Sequence, residues 1–217
     1  MARARLTQRR RLQALEAAVE VIAERGLGDT RVADIARRAG LSPGLLLYYF
    51  KSKDDLLTEA LTFAEDRFYL ETWHELTDLD DPPRRLLRLI SLSCPSGDSA
   101  DPGDWTLWVE LWARALRHPD SRRKREALDR RWRSTIAEIV RAGQEGGHFD
   151  GSLDADDFAL GLAALIDGLA LQVVLNDPSV SSDKMRRLCI ETAASQLRFE
   201  VPEEATTTAG RRESAIR

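Results

Sequence analysis

Apolar residues recur every three or four positions along nearly the whole chain, and no stretch alternates like a strand for more than a few residues. That period predicts helices and no sheet. Leu12, Leu15, Val19 and Ile22 form one stripe on a helix over about 7–25, ended by Gly26 and Gly28. Thr30 is placed to cap a second helix over 31–39, with Val32, Ile35, Ala36 and Ala39 on its buried side. Gly40 suits a left-handed turn, and Ser42 followed by Pro43 opens a third helix reaching Phe50. Ser52 caps a fourth helix running to about Trp73. Asp54 and Asp55 lie in its first turn, and Leu56, Leu57, Ala60, Leu61, Ala64 and Phe68 line its apolar side. Five more helices are expected over 82–94, 104–117, 119–142, 154–176 and 181–198. The stretch 95–103 reads as a loop, and Gly143, Gly146, Gly147 and Gly151 mark another. From Glu200 the periodicity stops, so 200–217 is expected to be a disordered tail. The predicted fold is all-α, with about nine helices.

The composition, with 43% apolar and 31% charged residues, is ordinary for a soluble globular protein and allows a substantial core. Cys94 and Cys189 have neither metal-ligand nor redox spacing, which suits small apolar fillers in a reducing cytoplasm. The basic N-terminus lacks the apolar run of a secretory signal. The formal net charge of -4 hides an asymmetry: residues 1–53 carry 11 Lys and Arg against 5 Asp and Glu, while the remainder is strongly acidic. A basic end on an acidic body fits either a polyanion-facing surface or a solvated tail.

The segment 30–53, TRVADIARRAGLSPGLLLYYFKSK, narrows that choice. Two short helices joined by Ala-Gly-Leu-Ser have the spacing of a helix-turn-helix, which lays its second helix in the major groove. The free N–H groups at the start of that helix favour phosphate. Thr30, Ile35, Ala36, Ala39, Gly40, Ser42, Gly44, Leu46, Tyr49, Phe50, Ser52, Lys53 and Leu56 fall in register with one known pattern. The segment thereby resembles the DNA-binding region of the TetR (tetracycline-repressor-like) family. The resemblance implies groove contacts at Ser42, Pro43, Gly44, Leu45 and Tyr48, and backbone contacts at Arg31, Tyr49 and Lys53. Tyr49 as a core tyrosine and Lys53 as a solvated lysine are the plainer alternatives. Arg3, Arg5, Arg9, Arg10 and Arg11 form a candidate basic arm, with a merely disordered basic tail as the equal alternative for Arg3 and Arg5. The chain departs from the family pattern at Leu47, where a tyrosine is usual, and at Leu45. A leucine can contact only a thymine methyl or exclude water.

In the second half, the run 158–175 is apolar on every side apart from Asp167 and Gln172. Such a helix must be buried all round. A membrane span would need about 20 apolar residues and basic flanks, so burial against a partner subunit is the better expectation. Helices eight and nine of two protomers would form a four-helix bundle, with Gly161 and Gly168 allowing close approach. The stretch from Trp105 to Leu169 resembles the subgroup containing BetI, the choline-responsive repressor. Trp105, Trp108 and Trp112 share a helix face, and with Trp73, His74 and Asp167 they are candidates for a ligand pocket. Glu110 is a second candidate acid for a cation there. An ordinary tryptophan-rich core is the alternative.

His74, His118 and His148 are scattered, and neither a phosphate-cradling glycine loop nor a nucleophile elbow is present. The expectation is therefore no enzyme, no metal and no cofactor. The division expected is a helix-turn-helix domain over 1–53 and a ligand-binding and dimerisation domain over 54–199. The implied partners are double-stranded operator DNA, a small-molecule effector and a second copy of the chain, in the cytoplasm and not in a membrane. A dimeric scaffold that does not bind DNA is the alternative reading.

Overall fold

The computed structural model describes residues 2–94 and 103–202, and these form nine helices and no strand. They are α1 (Ala2–Asp29), α2 (Val32–Ala39), α3 (Pro43–Phe50), α4 (Lys53–Thr77), α5 (Pro82–Ser93), α6 (Gly103–Ala115), α7 (Pro119–Glu145), α8 (Ala155–Val174) and α9 (Ser182–Leu197). The expected loop over 95–103 lies outside the described residues except for Gly103, which begins α6, and so does the expected tail from residue 203 onward.

The caps explain most of the boundaries. The Ser42 hydroxyl accepts from Leu45 N at 3.2 Å, and that of Ser52 from Asp55 N at 3.0 Å. Asp154 accepts from both Asp156 and Asp157, so the acidic cluster there is the opening of α8, where carboxylates complement the helix dipole. One expected cap is corrected. Thr30 is fully buried and its hydroxyl donates back to Gly26 O at 2.7 Å, which leaves Arg31 as the N-cap of α2 without a side-chain bond.

The described residues pack as two compact units, one drawn from 2–74 and 103–131, the other from 75–94 and 132–202. In the first, Ala14, Ala18, Ile22, Ile35, Leu46, Phe50, Leu57, Leu61 and Leu111 share one core. Each large aliphatic side chain buried there contributes about 1.5–3 kcal/mol. Leu12, expected on the buried stripe, is exposed, because burial along α1 begins only at Ala14. In the second unit α8 packs on α9, and α5 on α9, around Phe158, Leu162, Ile166, Cys189, Ile190 and Ala193. Gly143 lies inside α7, not in a loop. Phe149 folds back so closely that a Cβ at Gly143 would sit 2.1 Å from its ring.

Candidate nucleic-acid interface

The exposed side of α3 is built by the same spacing that buries its other side. Leu46 and Phe50, four residues apart, are the two buried anchors. Pro43, Gly44, Leu47 and Tyr48 consequently point to solvent, with Tyr48 78% and Leu47 43% exposed. Leu45 and Tyr49 are half-buried flanks, and the two tyrosine rings meet edge-on at 5.6 Å. Leu47 therefore projects more freely than Leu45. Nothing lies within 4 Å of a Cβ added at Gly44, so the helix start is open to close approach by a ligand.

Charge around this face sorts into two groups. Arg38 pairs with Glu20 and Glu24 at 2.8 Å, and Asp34 pairs with Arg25 at 3.1 Å and Arg37 at 3.4 Å. These arginines are neutralised within the protein, and the Glu20 and Glu24 contacts hold the Arg38 guanidinium even more firmly protonated than usual. Arg31, Lys51 and Lys53 make no ion pair among the described residues. They stand at the N-cap of α2, the C-cap of α3 and the first residue of α4, so uncommitted positive charge flanks α3. Lys51, with φ 60°, was not singled out by its sequence; its exposed place at the C-cap emerges only from the fold.

The expected basic arm is corrected in form. Its residues are helical from Ala2, and Arg11 turns inward to Glu59 and Tyr49 O.

Residues 14–60 match the model of bacterial regulatory proteins, tetR family, and residues 82–198 that of the BetI-type transcriptional repressor, C-terminal. The chain belongs to the tetR family. Among curated relatives, it is 30% identical to the HTH-type transcriptional regulator BetI of Pseudomonas fluorescens, over 87% of this chain and 93% of that one. A transcriptional regulator from Saccharomonospora viridis, solved in complex with choline, is 34% identical with a TM-score of 0.78. The match covers 85% of this chain and 95% of that one. A TetR-family regulator from Rhodococcus sp. follows at 29% identity and TM-score 0.75, over 87% and 98%. As a tetR-family chain with a BetI-type C-terminal part, this is a DNA-binding transcriptional regulator of the repressor type, and its relatives are regulators, not enzymes.

The residues expected at an effector site fall in both units. Trp105, Trp108 and Trp112 cluster on α6, with ring centroids 6.4 Å apart for Trp105 and Trp112 and 6.3 Å for Trp108 and Trp112. Trp108 also packs on the core of the first unit, so the cluster is partly core. Trp73 stacks on Tyr69 and is exposed, as is His74. Asp167 is half-buried on α8, in the second unit. Glu110 is committed elsewhere: its Oε1 accepts from Leu27 N at 3.0 Å. Sequence reasoning missed Glu65, 4% exposed on α4 and the one buried charged side chain among the described residues. The signal was available, since Glu65 sits four residues after Leu61 on the apolar side of its helix.

Proposed function

We infer that residues 1–53 read a palindromic operator in the cytoplasm, and that residues 54–199 dimerise and bind a small cation whose entry releases the DNA. The observation that carries the DNA reading is the solvent-facing row Pro43, Gly44, Leu47 and Tyr48, flanked by Arg31, Lys51 and Lys53, which make no ion pair among the described residues. Ser42, Leu45 and Tyr49 complete that surface. Tyr48 and Leu47 supply groove contacts of the apolar and hydroxyl kind, and the cations supply phosphate contacts.

For the effector, a quaternary ammonium compound is favoured. Indole faces attract such cations, the relative from Saccharomonospora viridis was solved with choline, and buried Glu65 lies in the same unit as the three α6 tryptophans. Trp73 and His74 belong to that unit too, whereas Asp167 is assessed through its own Asp167→Asn variant.

For dimerisation, α8 is the helix among the described residues long and apolar enough to cross a membrane, yet only 33% of its apolar window is buried. Leu160, Gly161, Ala164, Gly168 and Leu175 form an exposed apolar stripe along it. A second copy applying α8 and α9 covers that stripe with small residues at the contact, which a lipid chain does not require.

Selecting bound sites from random DNA fragments tests the reading. A palindrome should be enriched and then released by choline, with roughly 5–150-fold weaker binding at saturation. Trp112→Leu should raise the choline needed about tenfold. No enriched sequence would favour a helical scaffold instead. A palindrome indifferent to choline and to related quaternary amines would remove the cation.

A further inference from the structure

One side chain on α1 ties the last turn of α3 to α4. Arg11 Nη1 donates to the main-chain carbonyl of Tyr49 at 3.2 Å, and Nη2 pairs with Glu59. The guanidinium also lies over the Phe50 ring, 4.7 Å from its centroid. The Tyr49 carbonyl is among the last four of α3, which have no partner within the helix and carry the negative end of its dipole. A guanidinium suits this position because its planar fork bonds two acceptors while stacking on a ring; an ammonium does not.

The helix it holds is lightly anchored. α3 has eight residues, buries only Leu46 and Phe50, and leads directly into Lys51 at positive φ. Its tilt depends on how its ends are fixed. Ser42 caps the first turn, and Arg11 holds the last.

We propose that Arg11 is a positioning residue for sequence specificity: it sets the tilt of α3 against α4 and makes no DNA contact itself. This rests on α3 being the recognition helix. Base-edge contacts require accurate placement, whereas phosphate contacts with long flexible cations tolerate displacement. Losing the Arg11 tie should erode discrimination between sequences more than general affinity.

Glu59 provides a test of opposite sign. Were charge alone at work, removing this acid would strengthen binding to every duplex. If it anchors Arg11, removing it weakens the preferred duplex. The full-length protein and its Arg11→Gln, Arg11→Lys and Glu59→Gln variants would be measured by fluorescence anisotropy over a range of salt. The duplexes are the selected palindrome and a shuffled sequence of equal length, and thermal unfolding reports folding.

Arg11→Gln and Glu59→Gln should each reduce the palindrome-to-shuffled preference about tenfold. The salt slope should not change, and Arg11→Lys should recover only part of the preference. Tighter binding of Glu59→Gln to both duplexes overturns the proposal. So does a salt slope lowered by about one counterion per protomer in Arg11→Gln, full recovery by Arg11→Lys, or unchanged preference in folded variants. Should Arg11→Gln not fold, the isosteric Glu59→Gln decides the matter. Failure of the recognition-helix reading looks different, because the wild-type protein would then show no preference at all.

Discussion

Eleven cations lie in residues 1–53, but the fold makes them unequal. Arg11, Arg25, Arg37 and Arg38 are held in ion pairs with Glu59, Asp34, Glu20 and Glu24, and exposed pairs of this kind contribute about 0–1 kcal/mol each. Arg31, Lys51 and Lys53, like Arg5, Arg9 and Arg10, make no ion pair among the described residues. Lys53→Ala should therefore weaken binding to all duplexes alike and flatten the dependence of affinity on salt by roughly one counterion per protomer. An unchanged slope in a salt titration would take Lys53 off the contact surface. Leu47 is a different case, since an apolar side chain releases no counterion. Leu47→Ala should change base preference at particular positions and leave the slope intact.

Among the elements, the junction of α1 with α6 is fixed by several specific contacts. Gly26 breaks α1 with φ 74°, and a Cβ there would approach Glu110 Oε1 to 2.9 Å. The same carboxylate accepts from Leu27 N, while the Thr30 hydroxyl closes on Gly26 O. One turn further along α6, Arg114 donates to the Thr58 hydroxyl at 3.1 Å and faces Asp54 at 3.4 Å, at the beginning of α4. α6 thus carries the tryptophans and also holds the end of α1 and the start of α4. Gly26→Ala combines a left-handed backbone with a displaced carboxylate and should cost about 1–3 kcal/mol in urea unfolding. A loss below a few tenths would show that Gly26 does not need its positive φ.

At the scale of the molecule, pH reports on the second unit. Cys94 and Cys189 both lie there, and burial pushes each thiol up to about 12; for Cys94 the neighbouring Cys189 adds to the shift. Unfolded thiols titrate near 8.5. Above that value the folded chain keeps protons that the unfolded chain has released. The thiol contribution to stability is therefore complete below about pH 8.5 and is lost as pH rises toward 12. The urea midpoint should fall more steeply above pH 9 in the wild type than in Cys94→Ala/Cys189→Ala. Parallel curves would show that the thiols are not buried as described. The same burial should make both native thiols slow to alkylate at neutral pH, because the thiolate is the reactive species.

The residues themselves determined the helical period, the caps at Ser42 and Ser52, the span of α3 and the string that marks the family, because all of these are local in the chain. Packing decided the rest. Thr30 has the chemistry of a cap, yet a fully buried hydroxyl takes the nearest free carbonyl. Gly143 resembles a loop glycine until Phe149 folds onto it from six residues away. Arg11 belongs by composition to a basic arm, but partners 38 and 48 residues distant turn it inward. Period and capping act within a few residues, whereas burial and ion pairing depend on which distant segments meet, and that is settled only when the helices pack.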